Sequence, residues 1–183
     1  MSKIAKALSR KVQIEGIGTD VLEYVFFIML SQMYYLTICL LVGTFLDCMS
    51  ETVAFFLAFT ILRRYAGGMH ATTEYRCMAI SAGLILLSVA SIEMFTKIDC
   101  KWFWIPVSIS FVLITILAPV ESIEKPLSAK RRKINNFKSS VLASVGLLAV
   151  VFCQEPALRY SIGIAVVDES VFLVLGKVRE GKF

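Results

Sequence analysis

Residues 52–96 read TVAFFLAFTILRRYAGGMHATTEYRCMAISAGLILLSVASIEMFT, in which a polar loop (63–77) separates two apolar runs. The loop contains the only histidine of the chain, His70, and Cys77 follows it at the start of the second run. Because a helix needs about 20 apolar residues to cross a bilayer, this pattern is typical of two membrane helices joined by a polar connection. The stretch predicts an all-α membrane fold whose polar chemistry lies in the loop.

The rest of the chain is as apolar as this stretch. Of its 183 residues, 57% are hydrophobic and 18% are charged, whereas globular proteins carry about 25% charged residues. The mean hydropathy is +0.75. The composition predicts a single integral membrane domain over residues 1–183, a polytopic protein with no room for a separate soluble domain. No cleavable signal peptide is expected, because the first apolar run is long and no small-residue cleavage site follows it.

About six membrane segments are expected from the apolar runs. The second is short, since 52–62 alone falls below the length of a full crossing. It therefore either tilts, borrows Tyr65 and Ala66, or forms a re-entrant segment. The expected segments are 21–46, 52–66, 78–96, 102–120, 139–153 and 160–176.

Residues 2–15 predict a short amphipathic helix that lies on an anionic membrane surface. Anionic lipid is therefore an expected partner. The alternative is a frayed basic terminus, because so short a helix is marginal without the bilayer. One side of the helix carries Lys3, Lys6, Arg10 and Gln13, and the other carries Ile4, Ala5, Leu8 and Val12, with Lys11 at the border.

The net charge of +5 comes from basic residues in short segments between the apolar runs. This placement indicates the membrane topology, and no nucleic-acid partner is expected. The basic residues cluster in alternate loops, and the positive-inside rule places such loops on the cytoplasmic side. With six crossings, both termini, the polar loop (63–77) and the basic loop 121–138 are expected there. The basic loop either binds a polyanion or sets the topology while contacting lipid headgroups. The opposite loops carry only Lys97, Lys101 and Arg159.

His70 and Cys77 are the candidate catalytic residues. Histidine exchanges a proton near neutral pH and cysteine is a strong nucleophile once deprotonated; the alternative is a polar loop residue beside an inert cysteine. In one continuous helix the two residues would lie about 10 Å apart along the axis, so a direct pair needs a turn, which Gly67 and Gly68 permit through positive φ. Glu74 either orients the imidazole or is a first-turn carboxylate that favours the helix dipole.

Two carboxylates, Asp168 and Glu169, interrupt the last apolar run. An ionised carboxylate inside a membrane is costly and usually faces a partner or a wet cavity. The pair therefore either makes a buried polar contact, with a positive part of the bundle or with substrate, or marks an early end of the run that leaves 171–176 outside the membrane.

The remaining cysteines suggest no metal chemistry. Without a second histidine or a close cysteine pair, neither a metal site nor a cofactor is expected. Three cysteines fall near the predicted outer ends of the segments, so an outer disulfide stays open, and Cys39 lies within the first segment. The three are Cys48, Cys100 and Cys153.

The polar loop also carries a family resemblance. Arg63 followed by Gly67-Gly68-Met69-His70-Ala71 and then Cys77, in a small basic multi-span protein with an amphipathic start, resembles the accessory gene regulator B (AgrB) family. The resemblance extends over nearly the whole chain in layout and is sharp only in residues 63–77. It implies His70 and Cys77 as the catalytic pair, with Arg63, Gly67 and Gly68 as supporting positions.

The resemblance implies a membrane-embedded cysteine endopeptidase of the bacterial cell membrane. Members of this Gram-positive family process a propeptide into a cyclic thiolactone or lactone quorum-sensing pheromone. The expected substrate has an amphipathic leader and an acidic tail that is cleaved through an acyl-enzyme thioester; a homodimer is left open. The alternative is a small transporter or membrane adaptor, with His70 and Asp168 or Glu169 in a proton path, although the internal repeats common in transporters are not seen.

Overall fold

The computed structural model describes residues 2–12, 18–68, 74–120 and 128–179, and within these ranges every regular element is a helix. The expectation of an all-α fold is confirmed. The helices are α1 (Ser2–Lys11), α2 (Thr19–Phe45), α3 (Met49–Ala66), α4 (Glu74–Ile98), α5 (Trp104–Leu117), α6 (Ala129–Phe152) and α7 (Pro156–Arg179).

Three of the described helices are long and apolar enough to cross a membrane, namely those over Thr19–Phe45, Tyr75–Ile98 and Ala129–Phe152. Helix α5 is equally apolar but has 14 residues. Large apolar side chains lie on the outside of these helices; Leu41 is 66% exposed and Phe152 is 71% exposed. So extensive an apolar exterior suits lipid rather than water. The chain is a polytopic membrane protein, as its composition predicted.

Two of the helix ends that differ from the expected segments have local causes. Helix α6 begins at Ala129 rather than 139, because the Ser128 side chain caps it by accepting from the Arg131 N–H at 3.4 Å. Residues 129–138, expected as part of a basic loop, are therefore helical. Helix α5 ends at Leu117, since the residue before Pro119 is extended.

The last helix is continuous. It runs from Pro156, a residue favoured in a first helical turn, to Arg179, so Asp168 and Glu169 lie inside the helix. Helix α7 packs against α3, α4, α5 and α6 and is the central helix of the bundle. Close approach to α6 depends on Gly146, where a Cβ would lie 2.6 Å from the side chain of Val166.

The connections define two ends of the bundle. One end, here called the loop rim, is the end at which α3 finishes at Ala66 and α4 begins at Glu74. There the Val120 N–H donates to the carbonyl oxygen of Ala66 at 2.9 Å, and the Asn136 amide donates to the carbonyl oxygen of Ala118 at 2.6 Å. The ends of α3 and α5 and the start of α6 therefore meet there. At the opposite rim, Arg159 forms an ion pair with Asp99, which joins the start of α7 to the end of α4.

Helix α1 packs against α2 through a narrow stripe. Ala5 and Ser9 are buried there, whereas Ile4 is 57% exposed. The apolar side that includes Ile4 remains open for lipid, as an interfacial helix requires. Residues 13–15 of the expected helix lie outside the described residues.

Candidate active site at the loop rim

A turn of two glycines closes helix α3. Gly67 has φ +78° and Gly68 has φ +121°, values that L side chains rarely adopt. A Cβ on Gly67 would collide with the carbonyl oxygen of Val120, and one on Gly68 would lie 2.7 Å from Nη1 of Arg63. Both positions therefore have a conformation that favours glycine, and at Gly67 the backbone of Val120 also leaves no space for a Cβ.

Arg63 lies beneath this turn and reaches into the bundle. Its guanidinium stacks over the ring of Phe172 at 4.5 Å and lies 5.8 Å from that of Phe59. Its Nη1 atom is 3.4 Å from Oε2 of Glu169. The Glu169 side chain is fully buried, while that of Arg63 is 22% exposed. Aromatic faces and a carboxylate thus hold the charge of Arg63 where one edge still reaches solvent.

Cys77 lies in the first turn of α4, which begins at Glu74. Its side chain is partly exposed, and its Sγ is 4.0 Å from the hydroxyl of Tyr35 on α2. The first turn of a helix presents unpaired N–H groups and the positive end of the helix dipole. An anionic species that forms beside this turn is therefore stabilised by backbone electrostatics.

Residues 69–73, which include His70, lie outside the described residues, as does the side chain of Glu74. The structure places Arg63 on α3, Gly67 and Gly68 directly after the end of α3, and Cys77 on α4. The pairing of His70 with Cys77 and the orienting role of Glu74 stay predictions.

Two contacts near the candidate site were not identified from the sequence. Tyr35 looks like one of several aromatic residues in an apolar helix, and no spacing connects it to Cys77. Glu169 is conspicuous as a carboxylate in an apolar run, but its partner Arg63 is 106 positions away. The neighbouring Asp168 lies 2.6 Å from the hydroxyl of Ser88 on α4.

All five cysteines are free, so Cys48, Cys100 and Cys153 form no outer disulfide. Among the residues that the structure describes, no three His, Cys, Asp or Glu side chains converge as metal ligands. The chemistry available at the loop rim is that of a thiol, a phenol and charged side chains.

The fold and the loop rim define an all-α polytopic membrane protein. It carries a thiol in the first turn of α4, and the glycine turn that ends α3 packs against an arginine paired with a buried carboxylate. The chain matches the family Accessory gene regulator B (AgrB) over residues 1–174, and it belongs to that family. The resemblance carried by residues 63–77 is thereby confirmed. No curated protein and no solved structure matches the chain. The family is known for processing autoinducer peptides in quorum sensing, which is a protease role.

Proposed function

We propose that this chain is a membrane-embedded cysteine endopeptidase that removes the C-terminal tail of an autoinducer propeptide, with Cys77 as the nucleophile and His70 as the general base. The observation that carries the proposal is the position of Cys77. Its partly exposed thiol lies in the first turn of α4, directly after the connection that contains His70.

The reaction divides into two acyl transfers. His70 takes the proton of the Cys77 thiol, and the thiolate attacks the carbonyl carbon at the junction between the pheromone segment and the tail. Collapse of the tetrahedral intermediate breaks the C–N bond, and the imidazolium returns its proton to the departing amine. The pheromone segment remains on Cys77 as a thioester.

A thiol or hydroxyl within the bound peptide then completes the ring. It loses its proton to His70, attacks the thioester carbonyl and releases the Cys77 thiolate. When the attacking group is a thiol, one thioester replaces another, so the exchange is close to isoenergetic and needs no nucleotide hydrolysis. Water must be excluded for the exchange to compete with hydrolysis, which favours a site at the edge of the bilayer.

Substrate capture is proposed to depend on charge and on the membrane surface. The helix ends at the loop rim are strongly basic, and such a field attracts an acidic peptide tail. An amphipathic leader would lie on the same membrane face as α1. The basic residues of these ends are Arg63, Arg64, Arg76, Lys130, Arg131, Arg132, Lys133, Lys138, Lys177 and Arg179.

The same asymmetry supports a cytoplasmic loop rim, because the opposite rim carries only Lys97, Lys101 and Arg159. The transporter alternative has less support. Asp168 contacts Ser88 and Glu169 contacts Arg63, so both carboxylates are engaged with neighbouring helices.

Single-cysteine variants test this orientation. On intact cells, a membrane-impermeant maleimide is expected to label Cys100 and Cys153, while Cys77 requires a reagent that enters the cytoplasm. Cys48 should react slowly from either side, because it is buried and its burial raises the pKa of the thiol. Labelling of Cys77 by the impermeant reagent would invert the topology and remove access to a cytoplasmic substrate.

The processing reaction itself is tested by co-expression with a candidate propeptide that has an amphipathic start, an internal Cys or Ser and an acidic end. Mass spectrometry should detect a cyclic product and a free tail. When the ring-closing residue of the peptide is changed to Ala, a thioester adduct on Cys77 should accumulate and should be released by hydroxylamine. A propeptide that stays intact with this chain present would contradict the proposal.

A further inference from the structure

Helix α7 contacts both helices that flank the proposed catalytic connection. Its two adjacent carboxylates, here called the acidic pair (Asp168 and Glu169), project to different neighbours. Glu169 Oε2 is 3.4 Å from Nη1 of Arg63 on α3, and Asp168 Oδ2 is 2.6 Å from the hydroxyl of Ser88 on α4. One turn of α7 therefore links the helix before His70 to the helix that bears Cys77.

The contact with α3 continues into the glycine turn. A Cβ on Gly68 would lie 2.7 Å from the Nη1 atom of Arg63, the same atom that faces Glu169. It would also lie 3.4 Å from the backbone oxygen of Phe172. Gly68 is thus enclosed by Arg63 and by α7 one turn beyond the acidic pair. Because His70 follows two positions later, displacement of Arg63 would shift the start of its connection.

The contact with α4 lies deeper in the bundle. Ser88 is about 16 Å along the helix axis from Cys77, and its side chain is buried. A helix transmits a shift or rotation along its length because its hydrogen-bonded backbone is stiff. The bond between Asp168 and Ser88 therefore couples the position of α7 to that of the helix that presents the thiol.

Stability alone does not explain the pair. A buried ion pair is often replaceable by apolar residues of similar volume with little loss of stability, since desolvation offsets the attraction between the charges. The remaining oxygen of Glu169, Oε1, is buried without a hydrogen-bond partner among the described residues, which adds to the cost. The benefit lies in geometry, because the pair specifies the positions of two helices at once.

We infer that the acidic pair positions the two described flanks of the catalytic connection, with Glu169 acting through Arg63 on Gly68 and Asp168 acting through Ser88 on the helix that bears Cys77. This inference rests on the proposed function, because it assigns the acidic pair to the same site. Asp168 and Glu169 are positioning residues that touch neither substrate nor the reacting atoms.

Chemical cross-linking measures the position of the connection independently of catalysis. In a parent variant, His70 is replaced by Cys, Cys77 is kept, and Cys39, Cys48, Cys100 and Cys153 are replaced by Ser. A short thiol-reactive bifunctional reagent is applied to membranes. Trypsin then cuts after Arg76, so a linked pair of peptides reports that residues 70 and 77 are close.

The parent is expected to give the linked peptides. Glu169→Gln, which keeps the side-chain volume but loses the charge, should lower the linked fraction severalfold. Ser88→Ala, which removes only a hydroxyl, should also lower it. The matched control is Glu93→Gln, the same change in an exposed ion pair with Lys97 on α4; it should leave the linked fraction at the parent level.

Kinetics on the chain with His70 intact supply the second readout. Misplacement of a catalytic group by about 1 Å can lower the rate about 100-fold, so Glu169→Gln should lower kcat for tail cleavage by about 10- to 100-fold. KM should stay close to that of the unmodified chain, because the acidic pair does not contact the peptide. Glu93→Gln should change neither constant.

The outcomes separate this inference from the proposed function. Linked peptides that persist at the parent level in both Glu169→Gln and Ser88→Ala would overturn the positioning role while leaving the catalytic pair in place. For Glu169→Gln, a rise in KM of about 10- to 100-fold with kcat unchanged would also overturn the positioning role. A parent without linked peptides would overturn the pairing of His70 with Cys77, and the positioning role with it.

Discussion

Replacing Cys77 by Ala is expected to abolish cleavage of the propeptide tail, with a loss of at least about 10³-fold in rate. The side chain is partly exposed, so the substitution removes the nucleophile with little cost in packing. The variant should insert into the membrane at the normal level and still bind the peptide. Tail release is measured by mass spectrometry of membranes incubated with the propeptide.

Three further variants sharpen this test. His70→Ala should be comparably severe, and the double variant little worse than either single one, because residues that act as a unit are not additive. Cys77→Ser should hold uncleaved peptide, since a hydroxyl is far harder to deprotonate than a thiol. Serine at the other four cysteines is the matched control and should preserve activity. Full tail release by Cys77→Ala would show that the polar loop (63–77) is structural.

Replacing Gly67 by Ala is expected to give the second large effect. The added Cβ would collide with the carbonyl oxygen of Val120, and φ of +78° is strained for any L side chain. Strain of this kind costs about 1–3 kcal/mol, and relief would break the hydrogen bond from Val120 to Ala66 that holds α3 against the end of α5. The apparent melting temperature in detergent should fall, and tail cleavage should fall with it.

Gly83→Ala supplies the matched control for Gly67→Ala. Gly83 lies within α4, and a Cβ there would meet no atom within 4 Å. Because Ala is favoured over Gly in a helix by about 0.5–1 kcal/mol, this variant should be slightly stabilised and fully active. Equal melting temperatures and rates for the two alanine variants would mean that the contact between Gly67 and Val120 has no role in the site.

Sequence reasoning predicted the elements well where one local property decides them. Each apolar run corresponds to a helix, three of which are long and apolar enough to cross a membrane, and Gly67-Gly68 indicated the turn that both residues form with positive φ. Helix ends were harder, because they depend on single side chains. The Ser128 cap extends α6 into a basic segment that reads as a loop, and a proline shortens α5 within an apolar run that continues past it.

The contacts around the site could not be predicted in the same way. The cost of an ionised group in a membrane singled out Glu169, yet its partner follows only from the packing of α3 on α7. The contact of Tyr35 with Cys77 likewise requires that α2 and α4 be neighbours. Periodicity gives the face of a helix, but the choice of neighbour depends on side-chain shape along the whole length of the bundle.

Helix α2 brings the lipid surroundings close to the proposed nucleophile. Of its 27 residues, only Leu22, Cys39 and Gly43 are buried, yet this helix supplies the phenol that lies against Cys77. Lipid, rather than protein, therefore borders most of the helix that touches the nucleophile. With Cys77 as the proposed nucleophile, we expect bilayer thickness and lateral pressure to affect the thiol through Tyr35, so that the surrounding lipid contributes to the proposed catalytic centre.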